Sequence, residues 1–384
     1  MSRPLRILML NFEYPPLGGG SSPVTRSLAR TLVAQGDQVD VVTMGFRGLP
    51  PEEHDGGVRV LRVPCLRRRK ELSRVHELAT YTAAALHRVR SLARVNHYDI
   101  CHSHFLVPTT VVPYLLRGMP GFPPYVVTSH GSDVPGYNPD RFRRLHHFTP
   151  PLLRRVARAA GAVIAPSEAL AALIRAHIPE AGPRLLNVPY GIDLERFRPV
   201  RKEQRILVAT RLFERKGVHD VLEALEGLPA RGWRLELAGD GPQRSDLEAQ
   251  AGRGGFPVTF HGWLAHDRLD RLFEPSRVFV LATASDNFPA SLLEAMAARC
   301  AIVTTRAGGC PEVVGDAALL VEPGDVRGLR ASLLRLMSDD AFADELGERA
   351  RRRASTVFGW PAITERHREI YERAAFSNKQ RSLP

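Results

Sequence analysis

The stretch Ala284-Ser285-Asp286-Asn287-Phe288-Pro289-Ala290-Ser291-Leu292-Leu293-Glu294-Ala295-Met296-Ala297 passes from polar turn formers straight into an apolar pattern of helical period. Pro289 suits the first helical position, where a missing N–H costs nothing. Leu292, Leu293, Met296 and Ala297 then share one face. That leaves the amides of Ala290, Ser291 and Leu292 as free donors at the positive end of a helix dipole, a place for an anion and most often a phosphate. Two carboxylates bracket the turn. Asp286 lies just before the helix, and Glu294 sits about 8 Å along its axis at roughly 1.5 Å per residue. A carboxylate can accept two hydroxyl protons at once. Acid, phosphate cradle, acid is the order in which a sugar–diphosphate–nucleoside offers its hydroxyls, phosphates and ribose. Taken alone, a proline-started amphipathic helix with an exposed acid has the same pattern, so the rest of the chain has to decide.

Outward from this stretch, strand and helix alternate. Downstream of residue 200 the apolar runs 206–210, 235–238, 258–262, 278–281 and 301–305 predict strands, with a helix over 218–225 after the first. The loop Thr210-Arg211-Leu212-Phe213-Glu214-Arg215-Lys216-Gly217 follows the first of these strands, a ligand-side position in an open α/β sheet. Arg211 and Lys216 there suit a diphosphate. Upstream, the run from Arg6 to Leu10 predicts a strand buried on both faces. It leads into Glu13-Tyr14-Pro15-Pro16-Leu17-Gly18-Gly19-Gly20, a helix over 24–34 and a strand over 39–43. This βαβ unit has a glycine loop at the carboxyl end of its first strand, but no G-x-G-x-x-G fingerprint. A strand over 125–129 opens into His130-Gly131-Ser132-Asp133. A His at the carboxyl end of a buried strand stands where active-site groups are placed and can donate to an oxygen that gains charge. His102, His104 and His130 lack a helical or hairpin spacing that would aim them together, so no metal site is expected. The fold class that follows is α/β, with two Rossmann-like doubly wound domains in series: residues 1–198, residues 199–360, and a C-terminal segment 361–384.

The length of 384 residues supports two cores. No run of about 18 apolar residues is present, so no transmembrane helix is expected. Asn11 and Glu13 interrupt the first apolar run, which argues for a strand rather than a signal peptide. Cys65, Cys101, Cys300 and Cys310 lie far apart and fit reduced thiols in a cytoplasmic protein. The net charge of +12 is uneven: through residue 200 there are 26 Lys and Arg against 15 Asp and Glu, and beyond it 27 against 26. Basic clusters fall at Arg67-Arg68-Arg69-Lys70, at Arg141, Arg143 and Arg144, and at Arg154, Arg155 and Arg158. Residues 66–95 have a basic helical pattern, which fits either a membrane-surface helix or an amphipathic helix with a solvated charged face.

With these pieces assembled, the chain resembles the retaining, nucleotide-sugar-dependent glycosyltransferases of the two-Rossmann GT-B type, family 4. The matching pieces span most of the chain: Gly18-Gly19-Gly20, His130-Gly131-Ser132-Asp133, Tyr190-Gly191-Ile192-Asp193 with Phe197 and Pro199, Arg211 with Lys216-Gly217, Gly239-Asp240-Gly241-Pro242, Asp286 to Glu294, and Gly308-Gly309 before Pro311-Glu312-Val313. The resemblance implies that the two domains face each other across a cleft holding the active site, and that a helix from about Trp360 crosses back to the first domain. It implies that Arg211 and Lys216 hold the donor diphosphate, and that Glu294 binds the ribose hydroxyls. Asp286 and the backbone of Phe288, Pro289 and Ala290, with Ser291 and Leu292 behind them, would hold the transferred sugar and phosphates. His130 would contact that sugar, Gly19 and Gly20 would let the first domain approach the phosphates, and the base would lie near Trp263 and Leu264. No metal or other cofactor is implied, since two cations suffice to offset charge on the leaving nucleotide. The implied chemistry is same-face attack, with a donor phosphate oxygen taking the acceptor proton.

Two departures bear on substrate. Asp286 stands where Glu is commoner in the family, and the glycine loop has a third Gly followed by Ser21-Ser22-Pro23. The partners expected are a UDP- or GDP-sugar donor and an anionic or lipid-linked acceptor. The basic first domain would face the acceptor of a cytoplasmic enzyme, and its charge suggests peripheral attachment to the inner membrane face. Two rival classes are a nucleotide-sugar epimerase of the same plan and a nucleic-acid-binding protein. The basic clusters lack the interleaved aromatics of the latter.

Overall fold

The structure, a computed structural model, describes residues 3–70, 73–137 and 149–381, with side chains described through Phe376. It divides into two compact units: residues 1–191 with 360–384, and residues 192–359. The boundary falls at Gly191–Ile192, ahead of the expected division between residues 198 and 199.

The first unit runs β1 (Arg6–Leu10), α1 (Ser21–Ala34), β2 (Gln38–Met44), β3 (Glu52–Asp55), β4 (Val58–Val63), α2 (Val75–Val95), β5 (Ile100–His104), α3 (Val111–Leu116), β6 (Tyr125–Thr128), α4 (Pro150–Ala159), β7 (Ala162–Ala165), α5 (Glu168–His177) and β8 (Leu185–Asn187). These strands form one eight-stranded sheet in the order β3-β4-β2-β1-β5-β6-β7-β8. Every described pairing in it is parallel except β3 with β4. Ile7, Leu8, Met9 and Leu10 are all fully buried, as a strand covered on both faces requires.

The second unit runs β9 (Glu203–Ala209), α6 (Val218–Leu225), β10 (Arg234–Ala238), α7 (Arg244–Gly254), β11 (Val258–Gly262), α8 (His266–Phe273), β12 (Ser276–Leu281), α9 (Ala290–Ala297), β13 (Ala301–Thr305), α10 (Cys310–Val314), β14 (Leu319–Val321), α11 (Val326–Ser338) and α12 (Asp340–Phe358). Its six parallel strands follow the order β11-β10-β9-β12-β13-β14. The last helix, α13 (Trp360–Arg381), belongs to the first unit. It buries Ile363, Ile370 and Tyr371 in the core that holds Ile7, Met9, Leu28 and Val41.

Three expectations change. The helix expected over 66–95 begins only at Val75, because Arg67 turns inward and donates to the carbonyls of Phe12, Arg69 and Lys70 at 3.2, 2.9 and 2.7 Å. The apolar side of α2 (Leu78, Tyr81, Ala85, Val89, Leu92) is buried in the first unit's own core. A membrane-inserting face is therefore not available there, and what remains outside is a solvated charged face. Strand β3 has no apolar run and was not expected; it is an antiparallel edge strand whose Glu52 and Glu53 pair with Arg59 and Arg62. The cluster at Arg141, Arg143 and Arg144 lies outside the described residues. All four cysteines are free thiols. No described helix is long and apolar enough to cross a membrane.

Candidate active site

In an open parallel sheet, ligands sit outside the carboxyl ends of the strands where the strand order reverses. In the second unit that point lies between β9 and β12, and their following loops carry Lys216 and Asp286. Gly217 has φ +63°, and a Cβ on it would lie 2.0 Å from the Ala282 carbonyl oxygen, so the two loops lie directly on each other. The Arg215 carbonyl accepts from the Ala284 amide at 2.7 Å and the Thr283 hydroxyl at 3.1 Å. This contact delivers the Lys216 ammonium onto the Asp286 carboxylate. Asp286 is held from the other side too: its carbonyl accepts from the Gly309 amide at 2.9 Å. Lys216 and Asp286 are thus brought together. Arg211 is exposed and has no ion pair among the described residues.

Helix α9 starts at Ala290, and Pro289 is its N-cap with extended backbone (φ −71°, ψ 111°), not its first helical residue. The Leu292 amide donates to the Pro289 carbonyl at 3.1 Å, so the expected trio of free amides shrinks to Ala290 and Ser291. The entry angle is fixed by packing. Phe288 is buried and meets the Phe358 ring edge-on at 5.9 Å. Leu292, Met296 and Ala297 are fully buried, as their helical spacing predicts.

Glu294 is buried one turn further on. Its carboxylate lies 3.4 Å from the guanidinium of Arg196, which also reaches Asp270 at 2.6 Å. Burial pushes the Glu294 carboxyl up to about 7, against the pull of Arg196 and with a further push from Asp270. Sequence patterns gave no sign of Arg196 and Asp270, which lie 74 residues apart and meet only in the fold. Asn287 was also missed, although it stands inside the deciding stretch. It is buried, and its Nδ2 has no hydrogen-bond partner among the described residues. Trp263 follows the edge strand β11, two strands from β9, and is 71% exposed with the half-buried Leu264 beside it.

In the first unit the order reverses between β1 and β5. The glycine loop follows β1. Its Gly19 amide donates to the Glu13 carboxylate at 3.0 Å, and the Ser21 hydroxyl donates to the same oxygen at 2.7 Å. Gly20 caps α1, which starts at Ser21 rather than residue 24. Parallel pairing of β5 with β6 places His104 opposite Thr128. This brings His104 Nδ1 to 3.0 Å from His130 Nε2, which linear spacing had not suggested. His130 Nδ1 in turn lies 2.7 Å from the Tyr190 hydroxyl. Burial lowers the His130 imidazole to about 3 and holds His102 and His104 well below the usual range, so all three are neutral at pH 7. Asp133 accepts from the amides of Leu106 and Gly131 and from the Ser129 hydroxyl, which fixes the turn that presents His130. Among the described residues no group of three His, Cys, Asp or Glu could hold a metal ion.

Known proteins share this plan. Residues 192–353 match the family described as "Glycosyl transferases group 1", and residues 18–196 the one described as "Glycosyltransferase Family 4". The MMP alpha-(1->4)-mannosyltransferase of Mycolicibacterium hassiacum is 29% identical over 96% of this chain and 98% of its own. The 2-deoxystreptamine N-acetyl-D-glucosaminyltransferase of Streptomyces fradiae is 30% identical over 83% and 82%. Among solved structures, sucrose-phosphate synthase from Thermosynechococcus elongatus superposes with a TM-score of 0.82 at 22% identity, covering 96% of this chain and 98% of that one, and so shares the fold. The chain therefore belongs to the group 1, family 4 glycosyltransferases and is an enzyme of that kind.

Proposed function

We propose that the enzyme transfers a hexose-type sugar, with retention at the anomeric carbon, from a UDP- or GDP-sugar to a hydroxyl of an anionic or lipid-linked acceptor. The observation that carries this is the contact of Lys216 with Asp286 at the switch point of the second sheet, with the α9 N-terminus and the buried Glu294 following directly in the chain. A diphosphate there meets the Lys216 ammonium and the Ala290 and Ser291 amides, and the exposed Arg211 is free to swing onto it. Glu294 accepts the ribose hydroxyls, and Asp286 accepts hydroxyls of the sugar. Charge developing on the departing diphosphate is offset by these fixed donors, so no metal is required. His130 is neutral and its two ring nitrogens are engaged by His104 and the Tyr190 hydroxyl, so it meets the sugar only by exchanging one of these contacts. The two relatives named above transfer different sugars, so the shorter Asp286 is the residue to examine for donor choice. The excess of Lys and Arg before residue 200 supports an anionic acceptor and attachment to an anionic membrane surface.

A panel of nucleotide-sugars screened by thermal shift identifies the donor, since a ligand at 100 times its Kd stabilises by about 2.7 kcal/mol. Proton NMR of the product then gives its anomeric configuration. Lys216→Ala is expected to abolish the shift and lower kcat/KM by roughly a hundredfold or more. Normal turnover in that variant, or an inverted product, would overturn the proposal.

A further inference from the structure

A cavity of about 480 Å³ opens at the amino ends of strands in the first unit's sheet, the ends opposite the glycine loop and the histidine turn. Strands β6, β7 and β8 all begin there, in parallel register. Pro124 precedes β6, Gly161 precedes β7 and Arg184 precedes β8. His130 lies beyond the other end of β6, which at about 3.3 Å per residue is some 13 Å long. The cavity is thus separate from the glycine loop and the histidine turn.

Four arginines line it: Arg117, Arg158, Arg184 and Arg373, with no acid among the lining residues. Two of them have a local reason to be there. Arg117 caps α3 and Arg158 lies in the last turn of α4, where a cation favours the carbonyl end of a helix. Arg373 has none; it stands within α13, three residues on from Ile370, and Ile370 and Ala374 form part of the floor. Their compensation is thin. Arg158 meets Glu180 at 3.3 Å, and Arg373 reaches Glu369 only at 3.9 Å with both side chains exposed, a contact of little strength. Arg117 stacks on the Tyr114 ring at 3.9 Å, and neither it nor Arg184 has an acidic partner among the described residues. Between the cations the wall is apolar, with Phe122, Pro123 and Leu186.

Four arginines lining an apolar floor match a phosphate ester with an apolar body. Arginine forks suit phosphate oxygens, and stacking surfaces suit the body. We propose that this cavity is a second anion site, distinct from the donor site, which binds a phosphorylated molecule through Arg117, Arg184 and Arg373. The inference does not rest on the donor assignment.

The probe is 1-naphthyl phosphate, titrated calorimetrically into the full-length Lys216→Ala protein so that the candidate diphosphate site is weakened. One equivalent is expected to bind. Adding Arg184→Ser and Arg373→Ser is expected to weaken it about a hundredfold, roughly tenfold per charge-assisted contact. If that double change lowers Tm without ligand, Arg373→Ser alone, on a side chain 78% exposed, is expected still to cost about tenfold. A second arm distinguishes the sources of phosphate. Co-sedimentation with phosphatidic acid vesicles, relieved by naphthyl phosphate and by the arginine changes, would make the ligand a lipid headgroup. Probe binding without vesicle binding would make it a soluble ester. Absence of binding in both arms, or equal binding by the arginine variants, overturns the proposal. Loss of nucleotide binding on Lys216→Ala alone bears on the donor site and leaves this cavity unaffected.

Discussion

Glu294 changes charge close to neutral pH, and that governs two measurable quantities with opposite signs. Accepting two hydroxyl protons requires the ionised carboxylate. Donor affinity is therefore expected to be full above about pH 8 and to fall about tenfold per unit below about pH 6. A Kd for the nucleoside diphosphate that stays flat from pH 5.5 to 8.5 would exclude Glu294 from the site. Stability runs the other way. The folded carboxyl ionises at about 7 and the unfolded one at its ordinary 4.5, so between these values the unfolded chain releases its proton first and rising pH favours unfolding. Glu294→Gln is expected to match the parent's Tm near pH 4 and exceed it above pH 7, while losing donor binding. Asn287 shows the same tension without titration. Its buried Nδ2 lacks a partner among the described residues, which costs about 1–3 kcal/mol unless a ligand supplies an acceptor. Asn287→Ala is expected to leave Tm unchanged or higher and to raise the donor KM. A fall in Tm with unchanged KM would make Asn287 a structural residue only.

At the scale of the element, α9 acts through the loops that hold its entrance. Gly308 has φ +53°, and a Cβ on it would lie 2.0 Å from the Asp286 carbonyl oxygen. Gly308→Ala is expected to cost at least about 1–2 kcal/mol from the backbone conformation alone. It must also displace the Asp286 turn, raising the donor KM about tenfold or more. Gly324 supplies the control: its φ is +77° but nothing lies within 4 Å of a Cβ, so Gly324→Ala bears the strain without moving the turn. Equal KM changes in the two variants would remove Asp286 placement as the cause. The elements themselves were legible where apolar period and a following glycine agree. Helix α6 and strand β13 fall at the residues their patterns predict, because both bury every residue the pattern marks. Reading failed where a polar side chain turned inward. Arg67 belongs to a run of good helix formers, yet it serves as an internal donor to three carbonyls and keeps 67–70 out of the helix. The His104–His130 and Arg196–Glu294 pairs were illegible for a different reason: parallel pairing and chain crossover set them, and no local spacing records either.

The two units differ in how the chain builds them, and this sets their response to truncation. The second is one continuous segment, whereas the first is completed only when α13 returns after the second has been traversed. The return is structural. Ile363 and Tyr371 are fully buried, Ile370 is 7% exposed, and each such side chain contributes about 1.5–3 kcal/mol by burial. Arg368 neutralises the buried Asp37 of the first unit, and the Tyr371 hydroxyl meets His102 Nδ1 at 2.7 Å. Removing α13 would leave an uncompensated buried carboxylate, which by itself costs several kcal/mol. Against a typical domain stability of 5–15 kcal/mol, the sum is enough to unfold the first unit. A chain stopped after Gly359 is therefore expected to lose the unfolding transition of residues 1–191 and keep that of residues 192–359. Nucleoside diphosphate should still stabilise the surviving transition, because Lys216, Asp286 and Glu294 all lie within it. Calorimetry with and without nucleotide decides the matter: two intact transitions would show that α13 merely rests on the first unit, and a surviving transition blind to nucleotide would show that the phosphate site lies elsewhere.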